Sequence, residues 1–151
     1  MNTTELQASY RELFGVASVG VPAATPGGAW SASTVLAHVI ASSRMLSAAS
    51  ADLLAGRIPV VDNRPSQSRH YLDAIVIAAE ADTGLLDTVR RSGQELVILA
   101  AQLDDEQIAT NVPTIILDDG RIRVQRPVPF STLLRAEHIR EHQAQICELL
   151  E

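Results

Sequence analysis

The chain is predicted to fold as an all-α protein: an antiparallel four-helix bundle with a short β-hairpin before the last helix. Three observations predict it. Hydrophobic residues make up 46% of the 151 positions, mostly Ala, Leu, Val and Ile, while aromatics are only 3%. That composition suits closely packed helices better than a β-sandwich, which draws on more aromatic and β-branched residues. Apolar residues recur at three- and four-residue spacing through most of the chain. One interruption is extended, where two β-branched runs flank Asp118-Asp119-Gly120, which is a hairpin signal. The length predicts a single domain over 1–151, large enough to bury a core without disulfides.

The first helix is expected from Thr3 to Phe14, with Leu6, Tyr10 and Leu13 on one face and Thr3 or Thr4 as cap. Gly15 to Gly28 reads as a Gly/Ala/Pro linker without helical periodicity. Trp30 opens the second helix, with Ser31 or Ser33 as N-cap; it runs to about Ala55 and stops at Gly56, with Pro59 beyond. Val60 to Pro65 reads as a loop. A third helical region spans Ser66 to about Leu103 and is divided at Ala81-Asp82-Thr83-Gly84, where Asp82 or Thr83 can cap a new helix and Gly84 weakens the old one. Asp104-Asp105 ends that region. The hairpin occupies Asn111 to Val124, and Pro127 and Pro129 end the insert. Ser131 or Thr132 is expected to cap the last helix, which runs to the C-terminus.

A formal net charge of −6 argues against a nucleic-acid partner. The Arg clusters, Arg90-Arg91 and Arg121/Arg123/Arg126, are short and flanked by acidic or apolar residues. Cys147 is the one cysteine, so no intramolecular disulfide can form. No basic segment precedes an apolar run, and the apolar stretches are broken well before membrane length. The expectation is a cytoplasmic protein without a membrane partner.

The chemistry lies in the histidines. His138 and His142 stand one helical turn apart and point the same way from a helix. Residues turn about 100° each around an α-helix. On the second helix Val35, His38, Ser42, Met45, Leu46, Ala49 and Leu53 then share a stripe. On the last helix Leu134, His138, His142, Gln145, Ile146 and Leu149 share another, with Glu137, Glu141 and Glu148 assigned to the solvated side. Both helices so place histidine within an apolar face. Burying a polar ring without a partner is costly, and a cation shared by three neutral imidazoles satisfies all of them. His38, His138 and His142 are therefore the candidate metal ligands, with ring nitrogens expected within about 3–4 Å of one another. A single buried His is more often a hydrogen-bonded core residue, so a bundle without metal is the plainer alternative.

The other candidates carry less chemistry. His70, between Arg69 and Tyr71, reads as a surface residue. Cys147 lies half a turn from His138 and reads as a structural or surface cysteine, not a catalytic one. His138-Ile139-Arg140-Glu141-His142 also matches the inverted zinc-peptidase motif H-x-x-E-H. That match is set aside, because nine residues after His142 leave no room for a further acidic ligand and Glu141 is placed on the solvated side.

Trp30-Ser31-Ala32-Ser33-Thr34-Val35-Leu36-Ala37-His38-Val39 resembles the W-t-x-x-x-v-L-x-H-l signature of the DinB-like superfamily of metal-binding four-helix bundles. His138-Ile139-Arg140-Glu141-His142-Gln143-Ala144-Gln145-Ile146 resembles that superfamily's H-x-x-x-H-x-x-Q-I/L ending. The Asp-Gly hairpin leading through Pro127-Val128-Pro129-Phe130 is similar to an insert in many members. These segments stand in the family's order over most of the chain. The resemblance implies His38, His138 and His142 as ligands of a divalent ion such as zinc, nickel or iron. It also implies a low-molecular-weight thiol, of mycothiol or bacillithiol type, transferred to a small electrophile. An all-histidine set is more similar to the DinB and thiol-transferase branches than to the mycothiol-dependent maleylpyruvate isomerases, where one ligand is Glu. Anionic substrate groups would need donors, for which Arg135, Asn63 and Arg64 are the candidates. A non-catalytic metal-binding bundle with a stress-associated binding role is the competing expectation, and a homodimer is left open.

Overall fold

Long runs of three-and-four apolar spacing fold as helices, and the interruptions become caps, turns and one small sheet. The structure is a computed structural model that describes residues 3–20, 30–118 and 121–150, with the backbone alone for residues 118 and 122–126. Among these are α1 (Thr4–Ala17), α2 (Ala32–Leu54), β1 (Val61–Asp62), α3 (Arg64–Gln67), α4 (Arg69–Asp82), α5 (Leu85–Gln102), α6 (Asp105–Ala109), β2 (Asn111–Asp118), β3 (Arg121–Pro129) and α7 (Ala136–Leu150). The protein is mostly helical with a small three-stranded sheet. Most of the expected Gly15–Gly28 linker, and the Asp119-Gly120 turn, lie outside the described residues.

Helix α1 buries Leu6, Ser9, Tyr10, Leu13 and Ala17 along one stripe. It runs one turn beyond the expected end, because Gly15 is tolerated inside a helix whose last turn buries Ala17. Helix α2 is buried on nearly every side from Ala32 to Ser43, which its small Ala and Ser residues permit. Its start and stop follow local chemistry. The Ser31 hydroxyl accepts a bond from Thr34 N–H at 3.2 Å, and Gly56 leaves the helix at φ +73°. Helix α2 packs against α4, α5 and α7, while α1 packs against α5 and α7. Leu13, Leu36, Ile40, Leu72, Leu96, Leu103, Phe130 and Ile146 form the fully buried centre of one apolar cluster.

Several local expectations are corrected. Val60–Pro65 is not a plain loop. Val61 and Asp62 pair in parallel with Thr114 and Ile115, and α3 begins at Arg64. A two-residue strand has no periodicity to detect, and its partner lies about fifty residues along the chain. The third helical region ends at Gln102, close to the expected Leu103, but Asp104 then opens a further short helix, α6, through a capping box with Gln107. Helix α5 is preceded by Gly84 at φ +90°, in the position assigned to Asp82 or Thr83. Ser131 and Thr132 do not cap α7. They lie in a 3-10 turn over Phe130–Thr132, where the Thr132 hydroxyl donates to Pro129 O at 2.7 Å.

The hairpin is longer than expected. Its register shifts by one residue between Val112 and Thr114, where Pro113 cannot donate to the ladder. β1 lies on the far edge of β2 from β3. Through β1 and α3 this sheet abuts α2, the helix that carries His38.

Candidate metal centre

His38 lies in the second turn of α2 and is 3% exposed, because that stretch of the helix is enclosed on all sides. His138 and His142 lie on α7, half-buried, beside a buried line of Ala136, Ile139 and Ile146. The packing of α7 on α2 brings the three together. Ring centroids are 5.6 Å apart for His38 and His138, 4.7 Å for His38 and His142, and 4.6 Å for His138 and His142. One nitrogen from each ring lies within 4.8 Å of the others, close enough to hold a metal ion. That bound is looser than the expected 3–4 Å. A rotation of about 15° about χ1, inside one rotamer well, moves a ring nitrogen by about 1 Å.

Hydrogen bonds determine which nitrogen His38 and His142 offer. His38 Nδ1 is 2.6 Å from the Ser66 carbonyl. A carbonyl only accepts, so Nδ1 carries the proton and Nε2 keeps its lone pair. The Ser42 hydroxyl lies 3.4 Å from that Nε2. His142 Nδ1 is 3.2 Å from Gln145 Oε1, which assigns its proton in the same way. His142 Nε2 is buried without a hydrogen-bond partner. An orphaned lone pair facing two further imidazoles is the donor set a divalent ion takes. The Trp30 ring sits over His38 at 5.1 Å.

All three rings are held neutral. Burial pushes the His38 pKa down to about 4, opposed by the Ser66 bond and assisted by His142. Burial likewise lowers His138 to about 4, with His38 adding to it. His142 falls to about 4 through burial and the nearby His138, against the Gln145 bond. Neutral imidazole is the form that ligates.

His38 and His138 open onto a pocket of about 310 Å³ that Arg135, Glu137, Glu141 and Asn63 also line. Arg135 thus stands at the mouth, as its place before His138 suggests. Asn63 reaches the pocket wall with its amide already engaged: Oδ1 accepts from Leu117 N–H at 2.6 Å, and Nδ2 donates to Leu117 O at 3.3 Å. Arg64 is not among the pocket-lining residues; it is exposed and bound to the Asp62 carboxylate at 2.6 Å. His70 is exposed on α4 and Cys147 is half-buried on α7.

Sequence reasoning missed the two glutamates and the role of Ser66. Glu137 and Glu141 are exposed, as expected, yet they line the pocket instead of facing away from it. Helical geometry contained the signal. Glu141 follows His138 by three residues, a net offset of only about 60° around the helix. Nothing local marks Ser66, whose carbonyl meets a ring 28 positions away.

Comparison with protein-family models, curated proteins and solved structures finds no match. Among the described residues no helix is long and apolar enough to cross a membrane.

Proposed function

We propose that this protein is a divalent-metal-binding four-helix bundle of DinB-like type, acting as a metal-dependent transferase with a low-molecular-weight thiol of mycothiol or bacillithiol type. The bundle would be α1, α7, α2 and α5, each packing on the next in a closed ring. One observation carries the reading: three neutral histidines from two helices converge beside an open pocket that His38 and His138 line, with Nδ1 anchored on His38 and His142 and the Nε2 of His142 left without a partner. His38, His138 and His142 would hold the ion, with zinc, nickel or iron as candidates. A divalent ion supplies Lewis acidity, which lowers the pKa of a thiol or water.

The chain's own groups would do the rest. Glu137 and Glu141 at the pocket lining can accept the thiol proton. Arg135 can pair with an anionic group on the thiol or on its small electrophilic acceptor. The apolar part of the pocket lining, with Met45, Leu46 and Ile116, would hold apolar parts of the substrate.

The test is metal analysis of the purified protein, followed by conjugation of a low-molecular-weight thiol to an electrophilic dye. His138→Ala and His142→Ala should each lose both metal and transfer, since two remaining ligands hold a divalent ion poorly. His70→Ala and Cys147→Ser should keep both. Full metal retention with no transfer to any acceptor would instead favour the non-catalytic metal-binding bundle. Loss of transfer in Cys147→Ser with metal retained would make the nucleophile internal.

A further inference from the structure

The corner between β1 and α3 connects the sheet to His38 through an unbroken series of hydrogen bonds. Asn63 N–H donates to Ile115 O at 3.0 Å, extending the parallel pairing of β1 with β2 by one rung. The Asn63 side chain then takes the next rung. Its amide meets both backbone groups of Leu117, as another strand residue would, at 2.6 and 3.3 Å. Asn63 also occupies the N-cap position of α3, where an Asn side chain normally binds the helix's first N–H groups. It makes no cap bond there. Its amide serves the sheet instead.

The Asn63 carbonyl accepts from the Ser66 hydroxyl at 2.8 Å. Ser66 is 2% exposed, and its own carbonyl meets His38 Nδ1 at 2.6 Å. The ring is thus tied through two residues of one short turn to the second half of β2, at Ile115 and Leu117.

We propose that Asn63 is a positioning residue for His38: by clamping Leu117 it fixes the Ser66 carbonyl, which in turn holds the His38 ring in the tautomer and orientation that direct Nε2 toward His138 and His142. This inference builds on the metal-site reading but has a readout independent of it. It changes the part assigned to Asn63 from substrate donor to support for a ligand. It also gives a reason for the two-residue strand β1, which is too short to add much to the sheet by itself. Metal-ligating histidines commonly donate their second nitrogen to a carbonyl, and losing such support typically weakens metal affinity by about 10–100-fold.

The experiment uses the full chain with 15N-labelled histidine. Long-range nitrogen–proton correlation spectra of the metal-free protein should show His38 as the Nδ1–H tautomer. Asn63→Ala should shift the His38 signals toward a mixture with Nε2–H while His142 stays unchanged, and should weaken zinc binding by about tenfold, the low end of that range, because the Ser66 carbonyl is displaced and not removed. Asn63→Asp keeps the acceptor for Leu117 N–H, loses the longer bond, and should fall between the two. It is also the milder change should Asn63→Ala fold poorly. Val89→Ala, a core change on α5, should lower stability without altering tautomer or affinity. Wild-type tautomer and zinc affinity in both Asn63 variants would overturn the proposal. His38→Ala separates the two ideas. If that change leaves zinc binding intact, the metal-site reading fails, and the tautomer spectra still decide the role of Asn63.

Discussion

The three histidines are kept neutral by burial and by one another, and that makes stability depend on acidity. Each ring has a folded pKa near 4, below the ordinary value of 6.5. Between those values the unfolded chain binds more protons than the folded one, so stability rises with pH there. It is fully present above about pH 6.5 and is lost as the pH falls through about 4. Urea unfolding of the chelator-treated protein at about pH 7, 6 and 5 should therefore show a midpoint that falls step by step. A midpoint unchanged from pH 7 to pH 5 would mean that the rings protonate in place without cost. The residue types and spacing that define this site were legible in the sequence, since an i, i+4 pair on an apolar face needs no tertiary information. The protonation pattern was not, because it depends on Ser66 and Gln145 meeting particular ring nitrogens.

Helix contacts show the same division. The stripe on α1 was readable, and so was the start of α2 to within Ser31 or Ser33, of which Ser31 is the cap. The closeness of α1 to α5 was not. Gly93 of α5 faces the Tyr10 ring so tightly that an added Cβ would lie 2.5 Å from Tyr10 Cδ1. The ring cannot easily retreat. It is 8% exposed, and its hydroxyl is bound to Ser43 at 2.7 Å on α2. Gly93→Ala gains helix propensity of about 1 kcal/mol, yet overpacking costs typically 1–3 kcal/mol, so the net expectation is destabilisation. Thermal unfolding checks this, and a Tm equal to or above wild type would show that the two helices slide apart freely. β1 marks the opposite limit. Its two residues hold no pattern, and only pairing with distant β2 makes them a strand.

For the whole molecule a metal ion held by the histidine cluster would act as a cross-link, since one histidine comes from α2 and two from α7. An ion that binds only the folded state should stabilise it by about 2.7 kcal/mol at a free concentration one hundred times Kd. Zinc added to the chelator-treated protein should raise Tm by several degrees, and excess chelator should reverse the rise. His142→Ala should abolish the response; an equal rise in that variant would place the ion elsewhere. The sequence by itself determined helical dominance, the main breaks at Gly56 and Gly84, the hairpin and the identity of the three histidines, because these follow from local periodicity, backbone freedom and residue chemistry. The tertiary structure alone decided that α2 and α7 meet along their histidines, that the Ser66 carbonyl reaches His38, and that Asn63 joins the sheet. Those are contacts between segments far apart in the chain, chosen by how whole faces pack and not by any residue's neighbours in sequence.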